Sequence, residues 1–425
     1  MTAFLFVVFL VVLALGAPIA ASFGLSAVFG ISVFKFSNLI TMGQRFFEGA
    51  NSFALLAVPL FTFAGFLMSG GGIGRRLISF AYSLVGHITG GLAHVNIVTS
   101  MIFAGISGSS AADAAFESAL LMPEMIKKKY SREFTVAVTA VSSTIGIIIP
   151  PSIPMVIIAG ILGISTGKLF VGGVIPGILC GLAQMLVCYF QAKKEGVPKE
   201  EGDFELKGVW KAFKESFLAL LMPPLIVVSI MSGSVSPTEV ALVTVVYAII
   251  VGKMVYHELD WKSFKSALIN TVKTSSKIFL IIGVASVFGK LLTIGGFDKL
   301  VARSLLSLTD SPTLILLIIL GILFIMGMFM ETISIIVLFM PIIYPIALQV
   351  GIDPIHLSVL SVIVLGIGLV TPPEGMCLFI CCDFLKVRIW DAMIALIPFV
   401  IAMLLVVGLL IAFPQLILWP ASFVG

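Results

Sequence analysis

Long apolar runs separated by short polar clusters occupy nearly the whole chain. None of them alternates strictly between apolar and polar residues, so they predict helices rather than the strands of a β-barrel. A full span needs about 20 apolar residues, and several runs are shorter or are interrupted by glycine and proline. The pattern predicts an all-α polytopic membrane protein with roughly ten to twelve spans or part-spans. The runs lie at about 3–34, 52–70, 89–107, 135–164, 170–190, 217–232, 238–256, 278–293, 313–329, 333–350, 356–371, 375–382 and 393–418.

Composition supports a membrane protein and excludes some partners. Hydrophobic residues make up 60% of the 425 residues and charged residues 11%, whereas soluble domains carry roughly 25% charged residues. The net charge of +4 comes from short basic clusters without interleaved aromatics, which argues against nucleic-acid binding. Residues 1–16 lack the basic start of a signal peptide and are expected to form an uncleaved first span. The cysteines lie in apolar runs, so buried thiols are preferred over a metal site at Cys377, Cys381 and Cys382.

The most polar stretch, 191–216, contains six lysines and six acidic residues. Its lysines predict a cytoplasmic linker, and an amphipathic helix at about 204–217 is expected on the membrane surface. The linker divides the chain into a first repeat, 1–190, and a second repeat, 217–425.

Basic residues flank the apolar stretch 89–125 on both sides, at Arg75 and Arg76 before it and at 127–132 after it. The stretch is interrupted at 105–110 by the sequence GISGSS. If both flanks are cytoplasmic, the stretch must enter and leave on one side, which predicts a re-entrant helical hairpin with a Gly/Ser tip. Two ordinary spans with a short outer loop are the alternative.

The second half of the chain repeats the order of features in the first. In each half an acidic residue precedes a Met-Pro pair by ten residues, and a glycine followed by a double proline comes later. This order predicts a second hairpin at about 313–350 and broken helices at about 135–164 and 356–382. If the repeat is inverted, the second hairpin enters from the periplasm. The features are Asp113, Pro123, Gly146, Pro150 and Pro151 in the first half, and Glu331, Pro341, Gly368, Pro372 and Pro373 in the second.

A double proline at membrane depth breaks a helix, because proline lacks the N–H group and clashes with the preceding turn. The freed carbonyl groups must then line a cavity or bind a ligand. One break is compatible with a simple kink. Two breaks at matching positions in two halves indicate the binding site of a secondary transporter.

Hydroxyl and carbonyl oxygens at these positions are hard ligands that suit Na⁺, and helix N-termini there attract an anion. Asp113 and Glu331 are the ionisable residues nearest the tips; capping of a half-helix is the alternative to ligand contact. Glu117, Glu374, Asp383, Lys290 and His94 are weaker candidates. The first predicted Na⁺ site comprises Ser107, Ser110, Gly146, Ile149 and Pro150. The second comprises Gly327, Thr332, Gly368 and Thr371. The predicted substrate residues are Ser109, Asp113, Glu331, Pro151 and Pro373.

At these motifs the whole chain resembles the large membrane subunit of tripartite ATP-independent periplasmic (TRAP) transporters. The motifs are SGSSAAD at 107–113, GIIIPPS at 146–152, MET at 330–332 and TPPEG at 371–375. The resemblance implies an inverted-repeat fold, an elevator mechanism and symport with two or more Na⁺ ions in the bacterial inner membrane. It also implies a separate small four-helix membrane subunit and a periplasmic substrate-binding protein. The implied substrate is an organic acid, either a sialic acid such as N-acetylneuraminate, which overall similarity favours, or a C4-dicarboxylate.

Two other functions remain open at the level of sequence. The G-x-S-G pattern around Ser107 is also found at the nucleophile of rhomboid-type intramembrane serine proteases. Such an enzyme needs a histidine base within hydrogen-bond reach. His94 lies thirteen residues before Ser107 and His356 lies in the other half, and neither has supporting sequence context. A channel or scaffold subunit is the second alternative, although it needs no paired tips and breaks.

Overall fold

The computed structural model describes residues 1–35, 38–197, 205–232 and 235–424. Within these ranges every regular element is helical, which confirms the predicted all-α class. Short 3-10 turns occur at Ala54–Leu56 and Thr144–Ile147, and a π-helical turn at Val251–Val255. The α-helices are α1 (Thr2–Ala14), α2 (Ile19–Phe34), α3 (Leu39–Ala50), α4 (Ala57–Gly70), α5 (Ile73–Val85), α6 (Gly91–Ser107), α7 (Ser110–Leu120), α8 (Met122–Lys127), α9 (Arg132–Ser143), α10 (Ile153–Leu162), α11 (Thr166–Lys194), α12 (Leu206–Met231), α13 (Pro237–Ile250), α14 (Trp261–Ile294), α15 (Phe297–Leu308), α16 (Pro312–Gly327), α17 (Thr332–Gln349), α18 (Pro354–Gly368), α19 (Met376–Leu385), α20 (Ile389–Ala412) and α21 (Gln415–Ala421).

Six of the described helices are long and apolar enough to cross a membrane, and a bent pair at the start of the chain raises this number to seven. The remaining apolar helices are shorter than 18 residues, and they include α6 and α16, the first arm of each predicted hairpin. The fold therefore combines full spans with half-length helices, as the glycine and proline interruptions predict.

The N-terminal apolar run differs from the predicted single span. It turns at Gly16, whose φ of 83° suits glycine, so α1 and α2 form an antiparallel hairpin. The rings of Phe9 and Phe23 stack with centroids 4.7 Å apart, and Ser26 Oγ donates to the carbonyl of Leu5 at 2.6 Å. The 13 residues of α1 rise only about 20 Å, less than the apolar core of about 30 Å. A second short helix therefore packs against the first.

The predicted linker also differs in extent. Helix α11 continues to Lys194, and α12 begins at Leu206, so helices occupy most of 191–216. Residues 198–204 lie outside the described residues. The expected amphipathic segment is not a separate surface helix, because α12 runs without a break from Leu206 to Met231 and accommodates two prolines.

Both predicted hairpins are pairs of helices that meet at a short tip. In the first, α6 and α7 are separated by Gly108, whose φ of 62° suits its lack of a side chain, and by Ser109. In the second, α16 ends at Gly327 and α17 begins at Thr332.

Both predicted broken helices are interrupted at their double prolines. The first consists of α9, a 3-10 turn and α10, and the second of α18 and α19. The Pro150–Pro151 and Pro372–Pro373 peptide bonds are both cis. Each break leaves about one turn of non-helical backbone whose carbonyl groups need other partners. The first break is largely buried, whereas Pro373 and Glu374 of the second are exposed.

The helices pack as two groups. In the outer group, α14 packs against α2, α3 and α4, α13 against α4, and α12 against α5. In the core group, α9 packs against α6, α7, α19 and α20, and α16 packs against α18. The groups meet where α5 and α4 contact α6 and where α14 contacts α17. The two hairpins thus lie against the outer group.

Candidate functional site

The two breaks lie against each other in the core group. A Cβ atom on Gly366 would lie 3.4 Å from Ile147 Cδ1 and 3.7 Å from Thr144 Cβ. Thr144 lies two residues before Gly146, and Gly366 lies two residues before Gly368, so Thr144 contacts its own counterpart in the repeat. Such a contact arises at an approximate two-fold axis that relates two halves.

Each hairpin tip is hydrogen-bonded to the broken helix of its own half. In the first half the carbonyl of Gly108 accepts from the N–H of Ile153 at 3.4 Å. In the second half the carbonyl of Met328 accepts from the N–H of Glu374 at 2.8 Å. The tips are therefore held at the breaks by backbone groups, which explains why the tip and the double proline recur together.

In each break, one backbone carbonyl group accepts a hydrogen bond from a residue on the other side of the double proline. Ser152 Oγ donates to the carbonyl of Ile147 at 2.6 Å. At the corresponding place the N–H of Cys377 donates to the carbonyl of Leu369 at 2.9 Å. The Ser152 hydroxyl in the first half and the Cys377 N–H group in the second half thus fill the same hydrogen-bonding role.

A cluster of unpaired oxygens lies at the first break. Within the described residues, Ser110 Oγ and both carboxylate oxygens of Asp113 are buried and make no hydrogen bond. Asp113 lies directly on the first break, because a Cβ atom on Gly146 would collide with its Oδ2 atom. A buried carboxylate without a partner is costly, and a bound cation is the partner that hard oxygen ligands can hold.

A similar but uncharged cluster lies at the second break. Thr332 Oγ1, which lines the cavity beside the second tip, is buried and makes no hydrogen bond within the described residues. The backbones of Gly327 and Gly368 touch, since a Cβ atom on Gly368 would lie 2.7 Å from the Gly327 carbonyl carbon. Thr371 Oγ1 donates to the carbonyl of Ile367 at 2.8 Å, which leaves its lone pairs available.

A cavity of about 610 Å³ separates the two tips from the outer group. This volume lies within the range of small-molecule sites. Its walls come from both hairpin tips and from α4 and α14 of the outer group. Its lining residues are Thr62, Gly65, Phe66, Ser69, Phe103, Ser107, Gly108, Ser109, Ser110, Ala111, Ala112, Ala115, Phe116, Ile147, Ile153, Pro154, Thr274, Lys277, Ile278, Glu331, Thr332, Ile333, Leu369 and Met376.

One ion pair crosses this cavity between the two groups. Lys277 Nζ on α14 lies 3.1 Å from Glu331 Oε2 at the start of α17. The lysine side chain is 62% exposed and the glutamate side chain 20% exposed, so both groups face the cavity opening. Glu331 occupies the N-cap position of α17 but makes no side-chain capping hydrogen bond. The capping alternative therefore does not account for this acid.

The structure divides the predicted site residues into two sets. Ser107, Ser109, Ser110, Glu331 and Thr332 line the cavity. The others lie behind it at the breaks: Asp113, Gly146, Ile149, Pro150, Pro151, Gly327, Gly368, Thr371 and Pro373 are not among its lining residues. Asp113, predicted to contact substrate, belongs by position to the first oxygen cluster.

Glu117 takes part in a buried hydrogen-bond network beside the first oxygen cluster. Ser100 Oγ lies 2.5 Å from Glu117 Oε1, and Ser142 Oγ lies 3.3 Å from Oε2. Ser142 also bonds Asn96 Oδ1 at 2.9 Å, and Asn96 Nδ2 donates to Thr139 Oγ1 at 2.8 Å. The network ties both arms of the first hairpin to α9, so Glu117 is a structural acid.

The hydrolase alternative lacks a base. His94 and Ser107 are thirteen residues apart on the single helix α6, which places them about 20 Å apart. His356 Nε2 is engaged with the carbonyl of Leu410 at 3.0 Å. Neither histidine can take a proton from Ser107. In the described part of the chain, no group of three His, Cys, Asp or Glu side chains is arranged to hold a metal ion, the three C-terminal cysteines included.

Sequence analysis missed the cavity residues of the outer group. Lys277 and Thr274 lie on α14, and Thr62 and Ser69 lie on α4, both of which are uninterrupted helices. No Gly/Ser tip or double proline marks these positions, although Ser69 stands directly before three glycines. The only local signal is a lysine just before the apolar run 278–293, and a lysine at the end of a span is common.

Comparison with known proteins identifies similar chains along nearly the whole length. Residues 6–416 match the family described as "Tripartite ATP-independent periplasmic transporter, DctM component". A sialic acid TRAP transporter large permease protein of Vibrio cholerae is 38% identical over 386 residues, which cover 90% of each chain. A C4-dicarboxylate TRAP transporter large permease protein of Vibrio cholerae is 33% identical and covers 98% of this chain and 96% of its own.

Among solved structures, the YdaH transporter of Alcanivorax borkumensis has a similar fold. Its TM-score is 0.60 at 14% sequence identity, and the match covers 90% of this chain and 88% of that one. At this identity the likeness concerns the fold alone.

Proposed function

This chain belongs to the DctM component family of TRAP transporters, and from this premise we propose that it imports an organic acid by Na⁺ symport. It is a transporter subunit rather than an enzyme, since its relatives are permeases. The observation that carries the proposal is a pair of oxygen clusters next to one cavity. Among the described residues that line this cavity, Lys277 is the one basic side chain. The inner membrane of a bacterium is the proposed location.

We propose that the two oxygen clusters bind the coupling Na⁺ ions. The first uses Ser107, Ser110 and Asp113 together with carbonyl groups of the first break. Asp113 lies near the Ser107 hydroxyl but forms no ion pair within the described residues, and a cation removes the cost of burying its charge. The second uses the Thr332 hydroxyl with carbonyl groups near Gly327 and Gly368, which resembles the first without its carboxylate.

The substrate then occupies the cavity between the tips, with its carboxylate at Lys277. Among the described lining residues Lys277 is the one basic side chain. One cation suits one carboxylate better than two. This favours a monocarboxylate of the sialic-acid type over a C4-dicarboxylate, in line with the similarity to the sialic acid permease. Ser109 supplies a hydroxyl from the first hairpin tip, on another wall of the same cavity.

The packing of two helix groups supports an elevator mechanism. The core group carries both oxygen clusters, whereas Lys277, Thr274, Thr62 and Ser69 belong to the outer group. Movement of the core group past the outer group would therefore carry the ions and change the walls of the cavity. The proposed partners are a small four-helix membrane subunit and a periplasmic binding protein that delivers the acid. Lipid surrounds the spans.

Coupling to Na⁺ provides enough free energy for accumulation. Two Na⁺ ions with one monocarboxylate carry one net positive charge inward. At about 100 mV this movement is worth roughly 2.3 kcal/mol, which supports a gradient of roughly fifty-fold before the Na⁺ gradient contributes. Hydrolysis of a nucleotide is not required.

Uptake by proteoliposomes tests this function. The chain is reconstituted with its small subunit and binding protein, and uptake of labelled N-acetylneuraminate is measured with and without a Na⁺ gradient. We expect uptake only with Na⁺. Ser107→Ala removes one ligand of a charged site, worth about 1.5–3 kcal/mol, and should raise the half-saturating Na⁺ concentration at least tenfold.

Ser307→Ala is the matched control, because it removes an exposed hydroxyl on α15 that bonds only the carbonyl of Ser304. It should leave the Na⁺ dependence unchanged. Uptake that is indifferent to Na⁺ in the unmodified chain would contradict the coupling proposal. Unchanged Na⁺ dependence in Ser107→Ala would contradict the first cation site.

A further inference from the structure

A second cavity adjoins the first along helix α7. Its volume is about 270 Å³. It shares Ser69 and Phe116 with the first cavity, so these two residues form the wall between them. Its lining residues are Ser69, Gly70, Gly72, Arg75, Phe116, Ala119 and Leu120.

The two cavities form one groove between α7 and the end of α4. Ala112 and Ala115 face the first cavity, and Ala119 faces the second. Glycines line the opposite wall, at Gly65 beside the first cavity and Gly72 beside the second. Since α7 runs from the hairpin tip towards the basic residues after α8, the second cavity lies nearer the predicted cytoplasmic side.

Phe116 is the large side chain that interrupts this groove. Its ring stacks on Phe103 of α6, with centroids 4.6 Å apart and planes inclined by 7°. The outer edge of the ring lies against Gly74 of α5, where an added Cβ atom would collide with it. The ring is therefore held between a hairpin arm and the outer group, at the boundary of the two cavities.

The second cavity has an excess positive charge at its edge. Arg75 and Arg76 share one acid: Arg75 Nη2 lies 2.5 Å from Glu258 Oε2, and Arg76 Nη1 lies 2.7 Å from Oε1. The hydrogen bond from Arg76, which also stacks over Tyr256 at 3.8 Å, is the main cause that lowers the pKa of Glu258. Two guanidinium groups and one carboxylate leave one net positive charge, and the Arg75 side chain is 72% exposed.

We propose that this second cavity is an exit site for the carboxylate, with Arg75 as its anion-binding group. The inference rests on the proposed transport function. The acid leaves Lys277, passes Phe116 and is held by Arg75 before release. Lys277 lies at one end of this groove and Arg75 at the other. These two basic side chains attract a carboxylate at both ends, and the Phe116 ring separates the two binding positions.

Thiol labelling tests the anion preference of the cavity directly. Ala119→Cys places an exposed thiol in the second cavity, whereas all five native cysteines are buried. Modification rates are measured with a negatively and a positively charged methanethiosulfonate reagent. Adding Arg75→Gln should lower the ratio of the two rates at least about threefold, because loss of one charge at short range in water changes the two rates in opposite directions.

Arg132→Gln is the matched control, because it removes an exposed basic residue of α9 that does not line the cavity. It should leave the ratio unchanged, and Arg75→Lys should restore it. Saturating N-acetylneuraminate should slow modification of Ala119→Cys by the anionic reagent in the presence of Na⁺. Equal ratios in Arg75→Gln and Arg132→Gln, or no protection by the acid, would overturn the proposal.

Efflux measurements separate this proposal from the transport function. In loaded proteoliposomes, Phe116→Ala should accelerate net efflux of the acid several-fold, and Phe116→Leu should do so less. Both should keep the Na⁺ half-saturation of the unmodified chain. Efflux rates unchanged in Phe116→Ala, with folding verified by an unchanged elution volume, would contradict a constriction at this ring. Absence of Na⁺-driven transport in the unmodified chain would instead contradict the proposed function.

Discussion

The ion pair between Lys277 and Glu331 gives the most direct test of the substrate site. If Lys277 binds the substrate carboxylate, the acid must first compete with Glu331 for the same ammonium group. A pair as exposed as this one contributes about 0.2–1 kcal/mol. Glu331→Gln should therefore lower the half-saturating concentration of the acid by up to about fivefold, since 1.4 kcal/mol corresponds to a factor of ten.

Loss of the lysine should have the opposite and larger effect. A hydrogen bond to a charged group contributes about 1.5–3 kcal/mol, so Lys277→Gln should raise the half-saturating concentration by roughly ten- to a hundred-fold. Lys277→Arg keeps the charge and should fall between the two. The control is Lys273→Gln, one turn earlier on α14 and outside the cavity lining.

Initial uptake rates over a range of acid concentrations, at saturating Na⁺, provide these values. The double variant Lys277→Gln/Glu331→Gln completes the comparison, because removal of Glu331 should give no benefit once the lysine is gone. A benefit of Glu331→Gln that persists without Lys277 would refute the competition argument. So would a Lys277→Gln variant with the affinity of Lys273→Gln.

Two further predictions concern the core group. Gly368→Ala should abolish transport, because its new methyl group meets the backbone of Gly327 within 3 Å. Gly321→Ala, whose methyl group meets nothing within 4 Å, should retain transport, and equal uptake by both variants would contradict the tight contact. Glu117→Ala should lower the thermal unfolding midpoint in detergent by several degrees, since a buried group left unpaired costs about 1–3 kcal/mol. Glu117→Gln, which still accepts a hydrogen bond from Ser100, should lower the midpoint less. Equal midpoints would show that the network contributes nothing.

Much of this fold was predictable because short local sequence patterns mark the interruptions of its helices. A proline pair disfavours a helix because it removes two N–H donors, yet α12 accommodates Pro223 and Pro224 without a break. The combination that recurs at both breaks, a glycine four residues before a double proline, is therefore the local signal. The paired breaks, their hairpins and the all-α class were therefore accessible from sequence. The turn at Gly16 was missed because the residues around it are as apolar as the helices that it joins.

The cavity residues of the outer group were not accessible in the same way. Lys277 acquires its role from Glu331, which lies far away in sequence and meets it only through the packing of α14 on α17. Asp113 shows the reverse case. Its position in the chain indicated a function, but only the structure shows that its side chain lies against Gly146 rather than in the cavity. Which neighbour a side chain on a helix faces depends on how that helix packs against the others, and local sequence does not reveal this packing.

The contact between Thr144 and Gly366 bears on how the chain is made. Synthesis delivers the first break to the membrane long before its counterpart exists, because Gly366 belongs to the last quarter of the sequence. Until then the first hairpin and its oxygen cluster lack the surface that covers them. The early half must therefore be inserted as an incomplete unit, sheltered by lipid, the insertion machinery or its own outer helices. Truncation after α11 should accordingly yield a protease-sensitive product rather than a stable half-transporter.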